Sequence, residues 1–105
     1  MIHTDSSDAI EIVTSSGADI DVVIWYKLIK GVDFEPKEFK TKITTATTTA
    51  ITLNVTSTVE IISLNCFNTD GAVSNDVTVQ KNNGAVYKII KKTLAAGESL
   101  NYEAE

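Results

Sequence analysis

Arginine is absent from this 105-residue chain, and histidine, cysteine, proline and tryptophan occur once each. Each scarcity closes off some chemistry. Without arginine there is no bidentate fork for phosphate or carboxylate, and a net charge of -5 opposes nucleic acid and anionic membrane as partners. A lone His3 and a lone Cys66 cannot build a protein zinc site or a histidine-based triad, and no intramolecular disulfide can form. There is no glycine-rich phosphate loop, so no cofactor is expected. No apolar run approaches membrane-spanning length, and the start MIHTDSSDA is polar and acidic where a signal peptide would be apolar. The expectation is a non-enzymatic protein made in a cytoplasm.

What the chain has in quantity is β-branching. Val, Ile and Thr make up roughly a third of it, and such side chains suit a pleated, half-buried surface. The length fits one domain, residues 1–105, with a polar N-terminal arm over residues 1–8. Charge is segregated along the sequence. Asp5, Asp8, Glu11, Asp19 and Asp21 precede any cation, all nine lysines fall between Lys27 and Lys92, and Glu98, Glu103 and Glu105 follow. Acidic ends around a basic middle can make neighbouring copies attract.

Alternation gives a first strand at Ala9–Thr14, with Ile10 and Ile12 inward, and a turn at Ser15-Ser16-Gly17. Ile20–Lys30 is the most hydrophobic segment. Its spacing also fits a helix, but the β-branched run and the lack of caps favour a strand. Ile20, Val22, Ile24, Tyr26 and Leu28 form one apolar face, which is core; Val23, Trp25 and Ile29 make the opposite face unusually apolar as well. A loop or another subunit is expected to cover that second face. Gly31–Lys40 reads as the longest connection, with Phe34 and Phe39 anchoring it to the body or reaching a partner.

Lys42–Val55 reads as two short threonine-rich strands with Ile51, Leu53 and Val55 inward; Asn54-Val55-Thr56 matches an N-glycosylation acceptor, expected to go unused without a signal peptide. Thr58–Tyr102 reads as an antiparallel meander of four strands. Ile62, Leu64 and Cys66 face one way, Val77 and Val79 alternate with Thr78 and Gln80, and Ile89 or Ile90 continues the core to Leu94. Asp70-Gly71, Asn83-Gly84 and Gly97 supply the turns. Seven to nine short strands and no helix define an all-β, antiparallel β-sandwich of jelly-roll or immunoglobulin-like build.

Candidate interface residues are Val23, Trp25, Ile29, Phe34, Phe39, Asp5 and Asp8; no catalytic, metal or cofactor residues are expected. A calcium site using Asp5-Ser6-Ser7-Asp8 with Asp19 and Asp21 matches no compact loop. Tyr26, Tyr87 and Tyr102 could stack on sugars but fall on separate strands.

Four segments, HTDSSDAIEIVTSSGADIDV, KITTATTTAI, NTDGAVSNDVTVQKN and AVYKIIKKTLAAGESLNY, cover most of the chain. Together they resemble small β-sandwich structural proteins of tailed bacteriophages. The resemblance implies a virion component: a capsid decoration or cement protein binding the head lattice as an oligomer. Alternatives are a small neck or tail accessory protein, or a virion-displayed carbohydrate-binding or adhesion module. The implied partners are major capsid, neck or tail proteins and further copies of the chain. It transfers no site residues. Glu60-Ile61-Ile62 is more apolar than the resemblance leads one to expect, and with the sequence ending just after Tyr102 no appended receptor-binding module is expected.

Overall fold

The computed structural model describes residues 2–4, 8–53 and 58–104. They form nine strands and no helix: β1 (Ile2–Thr4), β2 (Ala9–Thr14), β3 (Ile20–Lys30), β4 (Asp33–Ile43), β5 (Thr48–Ile51), β6 (Thr58–Asn68), β7 (Asn75–Asn82), β8 (Val86–Leu94) and β9 (Ser99–Glu103). All pairings are antiparallel, and the strands divide between two sheets packed as a β-sandwich. The larger sheet runs β1-β6-β3-β4, with β9 also on β6; the smaller runs β5-β2-β7-β8. β1 pairs with Val59–Ile61 and β9 with Ser63–Phe67, so these two strands share one edge of β6.

The core follows from period-two alternation. Ile10 and Ile12 of β2, Ile20, Val22, Ile24, Tyr26 and Leu28 of β3, and Val77 and Val79 of β7 are all buried between the sheets. Burying each large aliphatic side chain contributes roughly 1.5–3 kcal/mol. β6 meets the same demand in two phases. Val59 and Ile61 are buried, and so are Leu64 and Cys66, which strict alternation forbids. One extra residue resolves the conflict: the register with β3 shifts between Trp25 and Tyr26, and Ile62 has no partner opposite it. Ile62 therefore faces outward, and the expectation that it faces inward with Leu64 and Cys66 is corrected. β8 does the same beside β7, where the shift between Val79 and Gln80 leaves Ile89 out and turns Ile90 onto the core.

Three further expectations are revised. Gly31–Lys40 is not a loop: Gly31 and Val32 make a tight turn, and Asp33–Ile43 runs back along the whole of β3. Its proline is tolerated because β4 is an edge strand. Thr58–Tyr102 is not a meander either. Only β7–β8 is a hairpin; the chain crosses to the smaller sheet after β6 and returns for β9, which pairs with β6. Positive φ occurs at Gly31, Gly84 and Gly97 but not at Gly71, where the Asp70 carboxylate builds the turn by accepting the backbone N–H groups of Ala72 and Val73. Lys42-Ile43 closes β4, so the threonine-rich segment holds one short strand of its own, with Ile51 buried and Leu53 packed on the core; Val55 and Asn54-Val55-Thr56 lie outside the described residues.

One pattern is drawn twice. β2 and β5 pair in the smaller sheet while the β3–β4 hairpin between them lies in the larger. β6 and β9 pair in the larger sheet while the β7–β8 hairpin between them lies in the smaller. The sequence echoes this: Asp21-Val22-Val23-Ile24 opens the first hairpin, Asp76-Val77-Thr78-Val79 the second, and each hairpin ends on a buried aliphatic, Ile43 or Leu94. Two buried asparagines secure the crossings. Asn68 donates to the carbonyls of Val73 and Leu94 and accepts from Asp70 N–H. Asn75 donates to the carbonyls of Ser16 and Ala18 and accepts from Ser15 N–H.

Candidate functional site: the outer face of the larger sheet

Strand register sets this face out as rows. From β4 across β3 to β6, the outward residues run Lys42–Asp21–Phe67, Lys40–Val23–Asn65, Glu38–Trp25–Ser63, Pro36–Lys27–Glu60 and Phe34–Ile29–Thr58. β9 extends the first three rows with Ser99, Asn101 and Glu103. Four exposed apolar side chains stand here: Trp25 (43% exposed), Phe34 (63%), Ile62 and Phe67. Val23 and Ile29 are half-buried between them.

Charged neighbours hold the aromatic groups in place. The Lys27 ammonium lies 5.1 Å from the centroid of the Phe34 ring and 3.4 Å from the Glu60 carboxylate. Glu38 pairs with Lys40 at 3.0 Å and lies directly opposite Trp25 in the β3–β4 register. The Lys40 contact, helped by the indole, holds the Glu38 carboxyl below the ordinary carboxylate value. Lys42 pairs with Asp21 at 2.6 Å, which raises the lysine. At the hairpin end, Lys37 and Lys30 flank Glu35 at 2.9 and 3.0 Å and lower it in that order. These exposed pairs fix geometry more than they add stability.

Of the predicted residues, Val23, Trp25, Ile29 and Phe34 come together on this face. Phe39 does not: it lies opposite Ile24 on the inner side of β4 and packs against the core. Asp8 is far from it in the fold, buried at the start of β2 and paired with Lys81 of β7 at 3.2 Å. Asp5 lies outside the described residues, as do Ser6 and Ser7 of the conceivable calcium loop; among the described residues no three potential ligands cluster. Ile2–Thr4 forms a strand with Ile2 buried, so part of the first eight residues belongs to the sandwich. Cys66 is buried, and desolvation pushes its thiol up to about 12.

Sequence reasoning missed the polar half of the face. Between Trp25 and the β9 edge lies a groove of about 210 Å³ lined by Val23, Ser63, Asn65, Asn101 and Glu103 beside the indole. The β6 bulge makes it, by turning Ser63 outward when plain alternation from Ile61 would have pointed it into the core. Comparison with known protein families, curated proteins and solved structures finds no match.

Proposed function

We propose that this protein is a non-enzymatic structural component of a tailed-bacteriophage virion. In this reading it is a capsid decoration or cement protein that binds the head lattice as an oligomer through the outer face of the larger sheet. The observation that carries the docking role is the gathering of Trp25, Phe34, Ile62 and Phe67, exposed, on one face of a sheet whose other face is core. The virion assignment rests on the resemblance read from the four sequence segments alone. A neck or tail location is accommodated by the same surface.

The test is to localise the protein. Mass spectrometry and labelling of purified particles should find it on the head in stoichiometric amount; its absence from particles overturns the reading. Trp25→Ala should weaken oligomerisation or particle attachment more than folding, because the indole is part of the docking face. Light scattering beside thermal melting separates the two. A less stable but otherwise unchanged monomer would make Trp25 a fold residue only.

A further inference from the structure

The groove beside Trp25 has a chemistry that apolar docking does not use. Trp25, Ser63 and Glu103 occupy one row of three adjacent strands, and Val23, Asn65 and Asn101 occupy the next. Two strand spacings separate the β3 and β9 walls, about 10 Å, with the small Ser63 as floor between them. One wall is an aromatic face. The other carries Glu103, a carboxylate with no cation partner among the described residues. Asn65 and Asn101 hydrogen-bond to each other at the rim, and Asn101 also donates to Ser99 Oγ at 3.0 Å, so both amides are positioned with hydrogen-bonding capacity left over.

The indole is positioned too. It stands on β3, which is paired on both sides, with Glu38 of β4 opposite it on the side away from the groove. An aromatic face attracts the polarised C–H face of a sugar ring, and amides with a carboxylate match the donors and acceptors of its hydroxyls. Charge narrows the choice. Glu103 opposes phosphate or carboxylate ligands in the groove, and on the β4 side Lys40 and Lys42 are engaged by Glu38 and Asp21. A volume of about 210 Å³ suits one ring rather than an extended chain.

We propose that this groove binds a neutral saccharide, one ring stacked on Trp25 and its hydroxyls held by Asn65, Asn101 and Glu103. The site is centred away from the apolar hairpin end of the face around Phe34 but shares Trp25 with the docking face. A partner seated on the indole and a bound sugar therefore exclude each other. The site stands whether or not the protein is a virion component.

Trp25 is the only tryptophan, so its emission reports on the groove directly. The intact protein is titrated with lactose, maltotriose, cellotriose and chitotriose, with calorimetry in parallel. At least one should shift the emission saturably on the order of 1–10 mM. Asn101→Ala and Glu103→Gln, both at exposed positions, should keep the melting temperature and weaken binding about tenfold, equivalent to about 1.4 kcal/mol. Trp25→Ala should abolish the calorimetric signal, and Phe34→Ser should leave it unchanged. The proposal is overturned if none of the four sugars gives a saturable response up to about 50 mM. It is equally overturned if binding survives in folded Asn101→Ala and Trp25→Ala. Sialyllactose binding as tightly as lactose would overturn the neutral-ligand assignment.

Discussion

The two outer faces of the sandwich come from the same strand pattern and are finished in opposite ways. On the smaller sheet, Glu11 accepts hydrogen bonds from Gln80 Nε2 at 2.7 Å and Asn82 Nδ2 at 3.2 Å, and Thr93 Oγ1 donates to Asp76 at 2.7 Å. Thr78 and Gln80 are only 8% and 7% exposed although they point away from the core. That face satisfies many of its own polar groups across β2 and β7, and its exposed apolar side chains, Val86 and Ile89, lie on the edge strand β8. The larger sheet presents an exposed indole, a phenylalanine and two more apolar side chains in the same kind of position. Solvent alone does not account for that difference, since both faces are outer faces of one small domain. That exposed apolar cluster, with its charges arranged around the aromatics, is the observation on which the proposed docking role rests.

The repeated topology sharpens the contrast. β3 and β7 occupy corresponding places, each the first strand of its hairpin and each pairing with the strand that opens the other half. Both carry Asp-Val at their second and third positions, and both bury the residues at that Val and two positions on. Their outward positions then diverge: Val23, Trp25 and Ile29 on one, Thr78, Gln80 and Asn82 on the other. Inward positions are constrained by a shared core, whereas outward positions are free to specialise.

Three substitutions test how far the comparison holds, beginning with the crossing both faces depend on. Asn75→Ala removes the acceptor for Ser15 N–H at 2.9 Å and the donor to Ala18 O at 3.0 Å, leaving buried backbone groups unpaired. It should cost roughly 2–4 kcal/mol in urea denaturation. A loss below about 1 kcal/mol would mean the crossing holds without this side chain. On the smaller sheet, Gln80→Leu strips Glu11 of its shorter hydrogen bond and should cost about 1–2 kcal/mol without changing the oligomeric state. Trp25→Ser on the larger sheet should do the reverse: under about 1 kcal/mol of stability, with a measurable change in association. Equal stability losses at Gln80 and Trp25 would erase the distinction between a closed face and an open one.

The readable part of this architecture was the inward face. Ile20, Val22, Ile24, Tyr26 and Leu28 announce burial by alternation alone, and the two-sided character of β3 pointed to an apolar outer face. β4 escaped because its inner positions toward the hairpin end carry Glu35 and Lys37, both about half exposed, so no apolar period survives there. The bulge at Ile62 was hidden because inward residues at odd positions before it and even positions after it look like one noisy strand. The groove was illegible for a different reason. Ser63 and Asn65 precede Asn101 and Glu103 by almost forty residues, and only the return of β9 to β6 brings them together. The one available signal was the pair of polar residues two apart on each of those strands.

The smallest expected effect is also the most local, and it concerns whether the open face is held by charge. Glu38 has its carboxyl lowered from the ordinary 4.5, first by the hydrogen bond from Lys40, with a further contribution from the Trp25 indole. A folded value below the unfolded one means the contribution is complete above the ordinary carboxylate range and is lost as pH falls through the lowered value. Glu38 is solvent-exposed, so global stability should hardly register the change. The tryptophan should register it, because protonation removes the negative charge directly opposite the indole. Trp25 emission is therefore expected to titrate with a midpoint below 4.5 while far-UV circular dichroism stays constant. Glu38→Gln should remove that transition. A midpoint at or above the ordinary value, or a transition that persists in Glu38→Gln, would show that the indole is oriented by packing between Val23 and Lys27 and that charge has no part in holding the platform.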